Sequence, residues 1–307
     1  RALDDTSNIL FARLRCLRRR ILLGWGLLAV FVICAVLSVT SGFAVGLVLC
    51  MLGFAGDLFF IMRSQKAYRR LFKERLVRSE LEKQFGDLRY LPEAGIPASS
   101  IEQTGMMRMG NRYHAEDYLS GTAGGVPFEQ SDVCIQNVTS NGKSTSTVTY
   151  FRGRWLIFAF NKRFTHNLLV VSDSFSYAKR PGGFFGKDRS ERLSMESEAF
   201  NDAFKVYAQD AHEAYYILTP PLMERLLALN ARLGCGMLFG FCGNRLHVAV
   251  PNGGDAFEPS LLSQPKPEAA LEKIRREAEL VRVIAEMLAL DRRLFDTEGA
   301  ERKGLDL

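Results

Sequence analysis

Two short clusters place a histidine beside carboxylates, and these residue types can do acid–base chemistry or bind a metal ion. His114 and His212 each have two acidic residues within three positions in the sequence. Such groups can work as a general acid and base, or can bind zinc. Neither cluster has the ligand spacing of a recognised metal motif, so we expect no metal and no cofactor. The candidate catalytic residues of an enzyme hypothesis are Asp117, Asp210, His212 and Glu213.

The longer motifs that mark the common enzyme classes are absent from the sequence. It contains no GxSxG serine motif, no P-loop, no HExxH zinc motif and no Rossmann glycine fingerprint. The glycines at 121, 124 and 125 lack the lysine of a phosphate-binding loop, so we predict a turn there. The enzyme hypothesis stays open, but the sequence favours a protein that is not an enzyme.

Asp57 is the one charged residue inside a long apolar tract, residues 21–62. Ionisable groups inside membranes often mark ion or proton paths, which raises a transport or channel-accessory hypothesis. The alternative is packing, with Trp25 at the same depth donating its indole N–H, or Arg20 or Arg19 reaching the carboxylate. We favour packing because Asp57 continues a helical stripe of small residues: Gly42, Gly46, Cys50 and Gly53.

A glycine-rich loop at residues 179–187 carries two adjacent aromatic residues, Phe184 and Phe185, between basic residues. This composition is typical of a wedge that enters a lipid interface. The same phenylalanines could instead fold back onto the core of the domain. Both interpretations stay open at this point.

The apolar tract is too long for one membrane-spanning helix. As a single helix, residues 21–62 would extend roughly 63 Å, about twice the thickness of a hydrocarbon core. The tract becomes more polar at residues 38–42, which divides it into spans at 21–37 and 43–62. The sequence therefore predicts a transmembrane helical hairpin.

Basic residues follow and precede this hairpin, and the turn between its helices carries no charge. Arg63, Lys66, Arg69 and Arg70 follow the second span, and an arginine cluster precedes the first. Because basic residues stay on the cytoplasmic side, both ends should lie in the cytoplasm, in contact with an anionic leaflet. These flanks account largely for the net charge of +6, which argues for a membrane surface and against nucleic acid.

The rest of the chain predicts an α+β domain of mixed sheet and helix. We expect strands at 147–151 and 154–161 around an Arg152-Gly153 turn, a strand at 214–218, and a hairpin at 237–250. Helices are predicted at 197–204, 220–233 and 267–295, the last of them amphipathic. The predicted organisation is a basic N-terminal segment (1–20), the hairpin (21–62), a basic helical stalk (63–90) and the cytoplasmic domain (91–307).

Several stretches resemble a bacterial membrane-protein family catalogued as domain of unknown function 3137. They are residues 199–210, residues 213–226, Glu116-Asp117-Tyr118 with Gly121, Phe151-Arg152-Gly153, and Phe160-Asn161-Lys162 with Phe164. The resemblance implies an inner-membrane protein, sometimes encoded near LemA-type membrane proteins, and it implies no catalytic residues. His212 departs from the family pattern, where an aliphatic residue is expected.

These observations predict a multi-pass protein of the bacterial inner membrane whose N-terminus and C-terminal domain lie in the cytoplasm. Its expected role is a membrane-anchored binding or scaffold protein, for a lipid surface or a protein partner such as a LemA-type protein. The first alternative is a membrane-bound enzyme, and the second is a transport or channel accessory. The sequence does not define the oligomeric state.

Overall fold

The computed structural model describes residues 2–85, 87–142, 144–159, 164–178, 190–253, 257–259, 261 and 267–289. The chain forms two compact units. The hairpin unit comprises Arg1–Leu81 and Phe257–Arg276, and the sheet unit comprises Glu82–Ala256 and Glu277–Leu307.

The hairpin unit is built on two long helices, α1 (Ala2–Thr40) and α2 (Ala44–Leu71), which pack along each other. The turn between them uses Gly42 in the left-handed region at φ +70°, where glycine has no steric penalty. Gly53 allows close packing, because a Cβ there would lie 2.4 Å from the Phe31 ring. Small residues therefore let the two helices approach closely, as the sequence predicts.

Both helices are long and apolar enough to cross a membrane, over Ile9–Thr40 and Ala44–Glu82. Their large apolar side chains are mostly exposed rather than buried in a protein core; Leu23 is 74 %, Met51 65 % and Phe59 67 % exposed. A water-soluble protein rarely exposes a continuous apolar surface of this kind.

Helical structure continues beyond α2 through a π-helical segment, Phe72–Val77, into α3 (Arg78–Glu82). Lys73 is buried within this segment and forms an ion pair with Glu258 at 3.0 Å. Glu80 is also buried, and it accepts a hydrogen bond from Arg275 at 2.6 Å. Each buried charge therefore has a partner of opposite sign, which reduces the cost of removing it from water.

In the described part of the sheet unit, nine strands form one antiparallel sheet in the order β1-β2-β3-β4-β9-β8-β5-β7-β6. The strands are β1 (Arg89–Leu91), β2 (Arg112–Ala123), β3 (Val126–Ser140), β4 (Thr145–Ala159), β5 (Leu168–Ser172), β6 (Glu191–Leu193), β7 (Phe204–Ala208), β8 (Leu238–Cys242) and β9 (Arg245–Val250). Gly124 and Gly125, both at positive φ, form the turn between β2 and β3, as predicted, whereas Gly121 lies within β2.

Five further helices complete the described structure: α4 (Ala98–Glu102), α5 (Glu198–Ala203), α6 (Ala211–Ile217), α7 (Pro220–Leu233) and α8 (Pro267–Ala289). One face of the sheet covers a core around Trp155, Phe151 and Leu238, all of them buried. On α8, buried residues recur every three or four positions, at Ile274, Ala278, Val281 and Ala285.

The predicted turn at Arg152-Gly153 is wrong. β4 runs through both residues without a break, and Gly153 is needed for a different reason. A Cβ at this position would lie 2.2 Å from the carbonyl oxygen of Val250 and 2.8 Å from the Cα of Pro251. Gly153 is therefore the point where a neighbouring backbone passes close to β4.

The predicted strand at 214–218 is also wrong, because most of it lies in α6. Asp210 begins this helix: its side chain accepts a hydrogen bond from the Glu213 backbone N–H at 3.0 Å. Ala214 and Ile217 are buried and Tyr215 and Tyr216 are exposed, which is a helical rather than an alternating pattern. Asp210 favours the start of a helix more strongly than the aromatic residues Tyr215 and Tyr216 favour a strand.

Candidate functional site

Asp117 lies in a β-bulge of β2, between the residues that pair with Asp132 and Gln130 of β3. It is 1 % exposed and has φ +57°, a left-handed conformation that aspartate tolerates better than most residues. The Tyr90 hydroxyl donates to its Oδ1 at 2.5 Å. Burial, and then the adjacent Asp117 charge, raise the pKa of Tyr90 well above its ordinary value. Asp117 therefore stabilises the bulge and has no open face toward a substrate.

The second predicted cluster connects α6 to the segment before β5. Glu213 accepts hydrogen bonds from the backbone N–H groups of Thr165 and His166, each at 2.9 Å, and its Oε2 lies 3.1 Å from the His166 Nδ1. The Glu213 backbone N–H in turn lowers the pKa of the Asp210 carboxyl. His212 is exposed. This arrangement caps a helix and fixes a loop.

The four candidate catalytic residues do not form one group. Asp117 is in β2, while Asp210, His212 and Glu213 follow β7, six strand positions away in the sheet. Neighbouring strands lie about 4.8 Å apart, so the separation across the sheet is on the order of 29 Å. Within the described residues, no group of three or more histidine, cysteine or acidic residues is arranged to hold a metal ion.

His247 lies in β9 and forms a buried polar contact that the sequence does not reveal. It is 3 % exposed, and its Nδ1 accepts a hydrogen bond from the Trp155 indole N–H at 3.2 Å. Burial, with a smaller effect from the Arg245 charge, lowers the pKa of His247 to about 4. The imidazole is therefore neutral at physiological pH and serves as a core acceptor.

Arg154 is the second buried polar residue that sequence reasoning missed. Its side chain has no exposed area, and its guanidinium donates to the Glu277 backbone carbonyl at 2.6 Å and to the Glu277 Oε2 at 2.8 Å. Asp132 Oδ1 lies 3.6 Å from the Nε of Arg154. These contacts attach the C-terminal part of α8 to β4. The sequence around Arg154 does not indicate this role, because its partner Glu277 lies 123 residues further along the chain.

In the hairpin unit, Asp57 lines a groove of about 440 Å³ between α1 and α2. The residue is 8 % exposed, and among the described residues its Oδ2 has no hydrogen-bond partner. Arg20 lines the same groove, and the remaining lining residues are apolar or glycine. Trp25, the predicted indole donor, is 53 % exposed.

The predicted membrane-interface residues Arg63, Lys66, Arg69 and Arg70 all lie on the exposed side of α2. The opposite side of this part of the helix is buried at Ile61, Ser64 and Tyr68. Arg69 forms an ion pair with the partly buried Glu258, and Arg70 forms an exposed ion pair with Glu74 that is worth little because water screens it. Phe184 and Phe185 lie outside the described residues.

Comparison with known proteins finds a family match for the second half of the chain. Residues 149–290 match the family described as "Protein of unknown function (DUF3137)", which confirms the resemblance over that range. No curated protein matches the chain. Among solved structures, the chain is similar to the crystal structure of the mycobacterial trehalose monomycolate transport factor A, TtfA. The identity is 12 % and the TM-score 0.35, over 70 % of this chain and 96 % of that one.

Proposed function

We propose that this chain, whose residues 149–290 match the DUF3137 family, is a membrane-anchored binding or scaffold protein. The observation that carries the proposal is the exposed apolar surface of α1 and α2. A hydrocarbon environment satisfies such a surface, whereas water does not. The hairpin anchors the chain, and the sheet unit presents a surface to its partner.

The distribution of charge supports an orientation with both ends of the hairpin in the cytoplasm. Arg63, Lys66, Arg69 and Arg70 are exposed at the end of the second span, where an anionic leaflet would attract them. The turn at Ser41 and Gly42 is uncharged and exposed, so it can cross to the opposite side at little cost.

A binding role fits the polar residues of the sheet unit better than catalysis does. Asp117, Glu213 and Arg154 are each used to hold backbone or helix positions, and Asp117 lies six strand positions across the sheet from the other predicted catalytic candidates. The exposed aromatic residues Tyr215 and Tyr216 of α6 are instead suited to contact a protein partner.

Membrane insertion and orientation can be tested together on the full chain expressed in cells. The chain should remain in the membrane pellet after alkaline extraction. A Ser41→Cys variant should react with a membrane-impermeant maleimide in intact cells, because the turn lies outside. The native Cys16 and Cys235 serve as internal controls, and they should react only after permeabilisation. Recovery in the soluble fraction would refute the anchor, and labelling of Cys235 in intact cells would refute the orientation.

The binding role has a separate test. A photo-crosslinking amino acid at Tyr216 in the full chain should give a discrete crosslinked product in native membranes. The matched position is Val148, which is exposed at 41 % in β4 but lies away from α6. Equal crosslinking patterns at both positions, or none at Tyr216, would contradict a specific protein-binding surface on α6.

A further inference from the structure

The groove of the hairpin unit contains a carboxylate that the described residues leave incompletely satisfied. Asp57 is 8 % exposed, and its Oδ2 has no hydrogen-bond partner among them. A buried carboxylate in apolar surroundings is costly unless a donor reaches it. The groove is therefore built to hold a group that carries a hydrogen-bond donor or a positive charge.

The two charged groups lie at one end of the groove. Arg20 immediately precedes the first predicted span, and Asp57 lies less than two helical turns before Arg63 and the exposed basic segment of α2. Beyond Arg20 the lining continues along α1 through Leu23 and Leu27 to Phe31. Eleven residues of helix span about 16 Å, so the groove has a charged end and a long apolar end.

This combination matches a phospholipid with a zwitterionic headgroup. Asp57 offers a negative charge to an ammonium group, and Arg20 offers a positive charge and several N–H donors to a phosphate. The apolar remainder suits an acyl chain. A glycerol headgroup has no cation for Asp57, and a choline headgroup has no N–H to donate.

We propose that this groove binds one phospholipid whose headgroup carries a primary amine. The ammonium donates to Asp57, the phosphate accepts from Arg20, and an acyl chain lies against Leu27 and Phe31. The proposal rests on the proposed function, because it requires the hairpin to be in a membrane. This site would bind one class of phospholipid selectively, whereas the basic flanks attract any anionic leaflet.

Two glycines provide a matched pair of variants. Gly56 lines the groove, and a Cβ at this position would meet nothing within 4 Å, so a larger side chain can occupy the groove without a clash. Gly26 of α1 is equally open, but it is not among the lining residues. Gly56→Leu should therefore fill the site, and Gly26→Leu should leave it open.

The experiment is native mass spectrometry of the full chain after equilibration with an equal mixture of phosphatidylethanolamine, phosphatidylcholine and phosphatidylglycerol. The wild type and Gly26→Leu should retain phosphatidylethanolamine with roughly tenfold enrichment, the effect of one charge-assisted hydrogen bond. Asp57→Asn should lose the enrichment, Arg20→Gln should reduce retention of all three lipids, and Gly56→Leu should retain none in the site.

Equal retention of the three lipids by a membrane-inserted wild type would overturn the lipid site and leave the anchor intact. Enrichment that survives both Asp57→Asn and Gly56→Leu would also overturn the lipid site. A second protein helix that occupies the groove and excludes lipid would overturn it as well. Recovery of the wild type in the soluble fraction would instead overturn the anchor, and the lipid site with it.

Discussion

Acidification should destabilise the sheet unit through His247. The imidazole is 3 % exposed, and its Nδ1 accepts the Trp155 N–H. Burial, and to a smaller extent the Arg245 charge, lower the pKa of His247 to about 4. Protonation of Nδ1 would place two N–H groups against each other in the core, and the folded protein would lose this hydrogen bond.

The direction and the size of the change in the free energy of unfolding follow from proton linkage. Between about pH 6.5 and 4 the unfolded chain binds a proton at this histidine and the folded protein does not, so the free energy of unfolding falls as the pH falls. The contribution is complete above the unfolded pKa of about 6.5 and is lost progressively below it. At about 1.4 kcal/mol for each unit of pKa difference, the loss between pH 7.5 and 4.5 is roughly 2 to 3 kcal/mol.

The assay is urea unfolding in detergent at pH 7.5 and 4.5, followed by the fluorescence of Trp155. A Trp25→Phe background makes Trp155 the sole tryptophan, since the sequence contains two. His247→Gln keeps a side-chain acceptor but cannot titrate, and His114→Gln controls for loss of a histidine that is 70 % exposed. The parent and His114→Gln should lose roughly 2 to 3 kcal/mol more than His247→Gln. An equal loss in all three proteins would refute the reasoning.

Three further predictions concern residues whose roles the structure defines, and each is measured by the same unfolding assay at pH 7.5. Arg154→Met should destabilise the sheet unit by about 3 to 5 kcal/mol, because it leaves the buried Asp132 without this cation, and Glu277→Gln should also destabilise it, because the buried Arg154 guanidinium then loses one of its two carboxylates; a neutral Glu277→Gln variant would contradict the buried ion pair. Asp117→Ala should cost about 1 to 3 kcal/mol, and Asp117→Asn much less, because asparagine tolerates positive φ and can still accept from Tyr90; indistinguishable variants would contradict the role of the bulge. Gly153→Ala should destabilise by several kcal/mol, on the order of a strongly overpacked core site, because its Cβ would meet backbone atoms that cannot move aside; a neutral result would contradict the close approach.

Features that depend on local sequence were predictable. The helix predicted at 220–233 matches α7, whose first residue is Pro220 and whose C-cap residue, Gly234, has φ +62°. The hairpin predicted at 237–250 matches the pair of β8 and β9, and Gly243 in the turn between them has φ +57°. In each case the physical cause is a backbone preference of the residues themselves, so no distant partner has to be known.

Features that depend on distant partners were not predictable. Gly153 looked like a turn because glycine is common in turns, but the requirement comes from the backbone at Val250 and Pro251. Arg154 looked like one residue of an apolar strand, because its partner Glu277 is 123 residues further along the chain. Nothing in the local sequence distinguishes a buried arginine with such a partner from an exposed one.

Several residues that carry the family resemblance have structural rather than catalytic roles. Asp117 of the Glu-Asp-Tyr stretch forms the bulge, Gly153 of Phe-Arg-Gly permits the close approach of the backbone at Val250, and Pro220 begins α7. Each has a structural requirement that accounts for its residue type without any substrate. The unexplained features lie elsewhere, in the exposed apolar surface of the hairpin and in the groove at Asp57. Experiments on function should therefore begin with the hairpin unit, because its exposed apolar surface and its groove are what the fold alone does not require.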